Sequence, residues 1–309
     1  MDAIHVENGL TPEQLGFDGR GLAAYTYGGD GPVWGVDFGD DYGTSHAYPL
    51  ANAQSVAEVE QYAWPDPARF TDWNKLGAVA RDWQQQYAVR GPYWMAGPLF
   101  CTTCNLMGME EALMKMVSEP AVFEACVEKV FEFSCDYVSR FIQACDGGLD
   151  LLSLADDFAT QRGLMFHPDL WRKFLKPRYA RLFELGKRHG LPVWFHSCGD
   201  ATPVLPDLID IGVDVWETVQ LHALPMSPQA LKKQFGRQLT FFGGINTQHL
   251  PFAKPKEVRA EVNRVIEALG EGGGYICGPD HHIKPDVSQE NTRALFETAQ
   301  QFRRAGYTG

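Results

Sequence analysis

The chain has 309 residues, of which 45% are hydrophobic, so it is long enough to bury a large core. Its 39 acidic and 27 basic residues give a net charge of −12, which repels nucleic-acid phosphates and anionic membrane surfaces. No apolar stretch approaches the length of a membrane-spanning helix, residues 1–9 resemble no targeting signal, and the seven cysteines are scattered. We therefore expect a cytoplasmic protein with reduced thiols that binds neither nucleic acid nor membrane.

The first 50 residues are rich in glycine, aspartate and aromatic side chains, and they predict an irregular cap. Within this region the apolar run Val33–Phe38, followed by the glycines and aspartates of 39–43, predicts a strand that enters a hairpin turn. We assign residues 1–89 to the N-terminal cap and residues 90–309 to a regular barrel domain.

From about residue 90, short apolar runs alternate with longer stretches of helical periodicity, which indicates β–α units around a parallel sheet. The predicted strands are 93–98, 149–155, 192–196, 213–218, 239–243 and 274–278. The predicted helices are 106–117, 120–145, 168–189, 203–211, 228–235, 255–269 and 288–304. This pattern predicts an α/β fold of the TIM (β/α)8 type. Because a closed barrel needs about eight strands, either residues 1–89 supply the others or the N-terminal part is incomplete or divergent.

The strongest candidate site is the end of the predicted strand 192–196. Side chains alternate along a strand, so His196 and Cys198 can point the same way into the mouth of a barrel. An imidazole and a thiolate are half of a zinc site, and the last strand adds Cys277 and His281 as candidates for a third ligand. The alternative is a core histidine beside an inert cysteine.

Further polar side chains follow the predicted strands. Asp156 and Asp157 come directly after the strand 149–155, where paired carboxylates suit acid–base chemistry or support of a metal-bound histidine, although a helix cap is the alternative. Gln161, Glu217, Gln220 and Asn246 are candidates for binding substrate at the same mouth.

The single motif Cys101-Thr-Thr-Cys104 is a weak signal, and His222 and His249 are expected in surface loops. Motifs for nucleotide binding and for serine hydrolases are absent.

Several segments, taken in order, resemble the uroporphyrinogen decarboxylase superfamily. They are Asp156–Gly163, His196–Asp200, Leu205–Val215, Phe242–Asn246 and Gly273–Asn291, and the resemblance covers about residues 90–305. It implies a TIM-type barrel. The superfamily contains decarboxylases and zinc-dependent, corrinoid-linked methyltransferases, whose metal is held by a His-x-Cys pair and a distant cysteine. His196 and Cys198 match that pair, while His281 stands where the distant cysteine is expected and Cys277 lies four residues earlier.

The resemblance implies a zinc-dependent methyltransferase that moves a methyl group between a small methylated compound or a thiol and the cobalt of a corrinoid (cobalamin). In this hypothesis Asp157 and Asp156 are the catalytic carboxylates, and the partners are the small methyl donor or thiol and a corrinoid protein, with a homodimer left open. One alternative is a metal-independent decarboxylase in which Asp157 stabilises a protonated pyrrole. It fits less well because the family's arginine-rich motif for an eight-carboxylate porphyrinogen has no counterpart here. The other alternative is a binding or accessory barrel without catalysis.

Overall fold

The computed structural model describes residues 6–15, 19–22, 34–36 and 48–304. The strands are β1 (Gly19–Gly21), β2 (Ala88–Tyr93), β3 (Leu151–Ala155), β4 (Ala159–Thr160), β5 (Gly163–Leu164), β6 (Val193–His196), β7 (Val215–Val219), β8 (Thr240–Ile245) and β9 (Tyr275–Pro279). The helices are α1 (Pro12–Leu15), α2 (Val56–Glu60), α3 (Trp73–Gln84), α4 (Leu99–Met107), α5 (Met109–Ser118), α6 (Pro120–Cys145), α7 (Pro168–Phe174), α8 (Lys176–Arg188), α9 (Leu205–Asp210), α10 (Pro228–Phe235), α11 (Pro255–Leu269) and α12 (Gln289–Arg304).

Seven strands form one parallel sheet in the order β1-β2-β3-β6-β7-β8-β9, with helices between successive strands. The small antiparallel pair of β4 and β5 lies after β3. The described residues show no pairing of β9 with β1, but Val6 forms a parallel bridge with Ile283, just beyond β9. The fold is an α/β barrel of the TIM type, as the sequence predicts.

Strand β6 is covered by side chains on both faces of the sheet. All four of its residues are buried, as expected for a central parallel strand. Phe195 points outward and packs against Phe183 of α8, with ring centroids 5.4 Å apart. Trp194 points inward and contacts Phe242, two strands away on β8, at 5.0 Å. His196 follows Trp194 by two residues and therefore also lies on the inner face, toward the barrel interior.

Helices α6, α10 and α11 have the predicted boundaries 120–145, 228–235 and 255–269. Each has proline at its first turn, where no intrahelical bond is lost. Two other predicted helices, 106–117 and 168–189, are wrong in detail because each is interrupted in the structure. Gly108, with φ of +85°, separates α4 from α5, and Leu175 separates α7 from α8 ahead of a proline.

The first predicted barrel strand, 93–98, is shifted in the structure. The strand occupies Ala88–Tyr93, and residues 94–96 form a short 3-10 helix. Tyr93 has φ of +58°, a value that extended strands do not adopt, so the strand ends there. The other five predicted strands agree with β3, β6, β7, β8 and β9 to within two residues.

The region before residue 90 contributes one short strand to the sheet. β1 pairs with β2 in parallel, with Gly19 opposite Ala88. Of the predicted hairpin at 33–43, the described residues 34–36 include a turn, and the remainder lies outside the described residues. The division into residues 1–89 and 90–309 stays a prediction. Across the described ranges, no helix is both long enough and apolar enough to cross a membrane.

Candidate active site and metal centre

The carboxyl ends of β3 and β6 bring three potential metal ligands together. His196 ends β6, and its backbone is in register with Ala155, directly before the two aspartates. The Sγ atom of Cys198 lies 3.4 Å from Nε2 of His196. Oδ1 of Asp157 lies 3.7 Å from the same nitrogen and accepts a 2.7 Å hydrogen bond from the backbone N–H of Cys198. The three ligand atoms all lie within 4.8 Å of one another.

The opposite edge of the His196 ring faces a buried polar network. Nδ1 is 2.8 Å from the hydroxyl of Tyr93 and 3.8 Å from Oε1 of Glu217. Glu217 pairs with the guanidinium of Arg90 at 3.0 Å and accepts a hydrogen bond from the indole N–H of Trp194. Burial raises the pKa of Glu217, but the positive charge of Arg90, the interaction with His196 and the hydrogen bond from Trp194 together outweigh it, so the pKa falls to about 2. Glu217 is therefore an ionised carboxylate beside His196.

The electrostatics of His196 and Cys198 reflect this arrangement. Burial lowers the pKa of His196, yet the neighbouring Cys198, Glu217 and Asp157 together raise that pKa well above its ordinary value. Burial raises the pKa of Cys198, although the charge of His196 opposes the shift. Burial is thus the largest single influence on both pKa values, followed by the interaction of the two side chains with each other.

Asp156 and Asp157 have different surroundings although they are adjacent. Asp156 is fully buried and accepts hydrogen bonds from the backbone N–H groups of Phe100 and Cys101, at 2.7 and 2.9 Å, and from the Tyr179 hydroxyl. Burial raises the pKa of Asp156 to about 6. The contacts of Asp156 fix the first turn of α4, whereas those of Asp157 face His196 and Cys198.

The two candidates for a third ligand are separated by the fold. Cys277 contacts the Tyr275 side chain and is close to Glu261 of α11, and burial raises its pKa to about 12. Among the described residues, neither Cys277 nor His281 is part of the cluster of Asp157, His196 and Cys198. His281 lies closer to the cluster: burial, followed by the charge of His196, lowers the pKa of its imidazole.

Two cavities lie beside the cluster. The outer cleft has a volume of about 470 Å³ and includes Gln161, Gln220 and Cys198 in its walls. The inner chamber has a volume of about 60 Å³ and is lined by Tyr93, Trp94, Asp157, His196, Glu217, Thr218, Phe242, Pro279, His281 and His282. His281 and His282 line both cavities, so they stand at the boundary between them.

Of the predicted substrate residues, Asn246 alone lines neither cavity. Its side-chain oxygen accepts a 2.9 Å hydrogen bond from the backbone N–H of Gln248, which closes a turn after β8. Gln220 lines the outer cleft, and its Oε1 also accepts a 2.8 Å hydrogen bond from the N–H of Gly199. Gln161 is exposed at the rim of the outer cleft.

The sequence did not single out Tyr93, Trp94 or Phe242 as site residues. Aromatic side chains on strands are ordinary core residues in a linear pattern, and only the barrel's curvature turns these three toward His196. His222, expected in a surface loop, has its Nδ1 3.2 Å from Oδ2 of the fully buried Asp280. In the sequence, His282 is indicated as a site residue only by its position next to His281.

The Cys101-x-x-Cys104 motif lies on α4 and, among the described residues, belongs to no group of potential metal ligands. Burial, followed by the charge of Asp156, raises the pKa of both thiols well above their ordinary values. Cys101 Sγ is 3.3 Å from the backbone nitrogen of Asp157, so it packs directly behind the site. Protonated, buried thiols of this kind are packing groups.

A parallel α/β barrel with polar side chains gathered at the carboxyl ends of its strands is the architecture of a large class of barrel enzymes. Within this class, the sequence model of the family described as Uroporphyrinogen decarboxylase (URO-D) matches residues 36–302. The chain belongs to that enzyme family.

Individual relatives agree with this assignment. A uroporphyrinogen decarboxylase from Actinobacillus succinogenes is 21% identical over 280 residues, covering 88% of this chain and 75% of that protein. One from Thermus thermophilus is 26% identical over 197 residues, covering 60% of this chain and 50% of that protein. A solved structure, a methyltransferase from Methanosarcina mazei, superposes with a TM-score of 0.64 at 18% identity and covers 84% of this chain and 72% of its own. That similarity supports the barrel fold.

Proposed function

We propose that the protein is a zinc-dependent methyltransferase acting between a small methylated compound or thiol and a corrinoid. The observation that carries the proposal is the cluster of Asp157, His196 and Cys198 at the strand ends. Carboxylate, imidazole and thiolate are all zinc ligands, and four ligands arranged tetrahedrally at zinc–ligand distances stand about 3.4–3.8 Å apart. The measured separations from His196 Nε2, 3.4 Å to Cys198 and 3.7 Å to Asp157, match this spacing.

These residues would hold the ion, with His281 at the edge of the inner chamber as a further donor. Zinc bound there would lower the pKa of a thiol substrate or polarise a leaving heteroatom. The protein's own residues set the conditions for this chemistry. Asp157 fixes the Cys198 backbone, and the rings of Tyr93, Trp94 and Phe242 enclose the inner chamber and restrict water.

The chemistry of the outer cleft supports a corrinoid as the larger partner, free or carried by a protein. Among the described residues, its walls include three amide side chains, Gln161, Gln220 and Gln248, and one lysine, Lys284, which pairs with Glu7 at 3.2 Å. Corrinoids carry neutral amide groups around the macrocycle, which amide side chains can meet with paired hydrogen bonds. An eight-carboxylate porphyrinogen would need several cations at the same surface.

A metal-independent decarboxylase is the second candidate, because the curated relatives are named uroporphyrinogen decarboxylase. In that case Asp157, on the wall of the inner chamber, would stabilise a protonated pyrrole. A non-catalytic binding barrel is the third. The candidates differ in whether the cluster holds a metal and whether the reaction needs it.

Metal content and methyl transfer test the first proposal. We expect about one zinc per chain, lost in Cys198→Ala and weakened in His281→Ala. The controls Cys277→Ala, which removes a thiol outside the cluster, and Cys135→Ala, on α6, should retain it. Chelation should abolish the absorbance change between methylcobalamin and cob(I)alamin in the presence of a thiol. Stoichiometric zinc in Cys198→Ala, or turnover of uroporphyrinogen by the chelated protein, would overturn the proposal.

A further inference from the structure

Tyr93 makes the shortest contact of the His196 ring on the side away from Cys198. Its hydroxyl oxygen lies 2.8 Å from Nδ1. The two rings meet edge to face, with centroids 5.6 Å apart. Tyr93 also forms part of the wall of the inner chamber. The contact therefore joins the last residue of β2 to the last residue of β6, across the intervening strand β3.

The backbone of Tyr93 is unusual for a residue with a side chain. Its φ and ψ are 58° and −127°, a region that residues other than glycine rarely occupy. Such conformations persist where the surrounding structure holds them in place, and they concentrate at functional sites. Here the ring is held between His196 and the guanidinium of Arg90, whose central carbon lies 4.8 Å from the ring centroid. Held in this way, the ring has its hydroxyl 2.8 Å from Nδ1.

The direction of the hydrogen bond follows from the charge beside it. The carboxylate of Glu217 pairs with the Arg90 guanidinium at 3.0 Å and lies 3.8 Å from Nδ1, and a carboxylate there favours a proton on that nitrogen. The Nδ1–H group then donates to the Tyr93 oxygen. In the neutral ring, which is the form that binds a metal, Nε2 then keeps its lone pair on the edge that faces Cys198 and Asp157. A histidine that binds metal through one nitrogen is typically fixed by a hydrogen bond from the other.

We infer that Tyr93 is a positioning residue for His196: its hydroxyl fixes the ring orientation that turns Nε2 toward the metal site. The inference rests on the proposed zinc function. It assigns a role to a residue that contacts no metal ligand atom, and it explains why a tyrosine occupies a backbone position where glycine would be unstrained.

The test compares Tyr93→Phe with Tyr62→Phe in the full-length protein. Each variant deletes one hydroxyl that makes a hydrogen bond, but the Tyr62 hydroxyl donates to the backbone oxygen of Trp34, which lines neither cavity. Zinc and cobalt dissociation constants are measured by competition with a chromophoric chelator, and the visible spectrum of the cobalt form is recorded. Melting temperatures of the metal-free variants report structural cost.

We expect Tyr93→Phe to weaken metal binding by about 10–100-fold and to shift the visible bands of cobalt, while Tyr62→Phe changes neither. Unchanged affinity and spectrum in Tyr93→Phe, with normal binding by the wild type, would overturn the inference and leave the zinc proposal standing. Equal losses in both variants would also overturn it, since they would report general destabilisation. If the wild-type protein binds no zinc, the proposed function fails and this inference fails with it.

Discussion

Two adjacent carboxylates at the end of β3 have distinct roles because of their neighbours. Asp156 is enclosed by the start of α4 and satisfies three hydrogen-bond donors. Asp157 turns the other way, toward Cys198 and His196. Alternation along an extended segment separates the two side chains, so one supports the fold while the other reaches the site.

Replacing each aspartate by asparagine should separate these roles. Asp157→Asn keeps an oxygen that can accept from the Cys198 N–H, so we expect an almost unchanged melting temperature but weaker zinc binding and lower activity. Asp156→Asn replaces an acceptor with a donor in a fully buried position, and we expect it to cost about 1–3 kcal/mol of unfolding free energy. Thermal melting and a zinc competition assay on both variants provide the check. A large fall in melting temperature with normal zinc binding in Asp157→Asn would indicate a purely structural residue.

At the scale of single residues, the sequence predicted His196, Cys198 and Asp157 as site residues because each stands at the end of a buried strand or within two residues of it. It could not choose between Cys277, which lies in the last strand, and His281, which follows it, since the direction of each side chain depends on how β9 ends. It placed Asn246 with the substrate residues, whereas the structure uses that side chain to close a turn.

Among the secondary-structure elements, the turn after β6 holds the Cys198 side chain in place. Gly199 has φ of +79°, and a Cβ atom there would stand 2.5 Å from the backbone oxygen of Thr160 in β4. Its N–H also donates to Gln220. The turn therefore depends on a residue without a side chain, packed against the β4–β5 pair.

Gly199→Ala should be more damaging than Gly190→Ala, although both glycines have positive φ. At Gly190 nothing lies within 4 Å of the added carbon, so only the backbone conformation opposes it, at about 1 kcal/mol. At Gly199 the clash with backbone adds about 1–3 kcal/mol and displaces Cys198, so zinc affinity should fall as well. Chemical denaturation and metal titration measure the two effects. Equal costs at the two positions would contradict the tight packing of this turn.

Helices α7, α8 and α9 are joined by charges. The carboxylate of Asp207 on α9 accepts from Arg172 at 3.0 Å and from Lys176 at 2.9 Å. Burial raises the pKa of Asp207, but the hydrogen bonds from Lys176 and Arg172 outweigh it and hold the pKa below its ordinary value. The folded state therefore favours the ionised form of Asp207.

A carboxyl group with a lowered folded-state pKa stabilises the fold above its ordinary pKa of 3.8, and this contribution is lost as the pH falls. Asp207→Asn should therefore lower the unfolding free energy by about 0.5–1 kcal/mol near neutral pH, with a smaller difference at pH values below 3.8. Asp210→Asn is the matched control, because Asp210 is more exposed and bonds only Lys176 among the described residues. Urea denaturation of both variants at neutral and acidic pH tests this. A difference that grows on acidification would contradict the assigned direction.

At the scale of the whole molecule, net charge and cleft chemistry point to the same kind of ligand. The chain carries a net charge of −12, and the part of the outer cleft that the structure describes offers one lysine and one aspartate. A polyanion therefore meets long-range repulsion without local compensation. A ligand that bonds through neutral amides avoids that cost.

We accordingly expect no saturable binding of uroporphyrin, the fluorescent oxidised counterpart of uroporphyrinogen, at low ionic strength, where a cationic site would bind it most strongly. Aquocobalamin should bind with little dependence on salt. Fluorescence quenching and absorbance titrations measure the two ligands in parallel. Tight uroporphyrin binding that weakens as salt is added would reveal a basic site and favour the decarboxylase alternative.

The sequence by itself determined the alternation of strands and helices, the barrel class and the strand-end position of His196, Cys198 and Asp157. These features are local, since hydrophobic period, proline and glycine positions and residue spacing are read along a single segment. Only the tertiary structure decided that Tyr93 contacts Nδ1 of His196, that Cys277 packs near α11, and that Asp156 supports α4. Each of these depends on the curvature of the sheet and on contacts between residues far apart in the chain, which linear spacing does not specify.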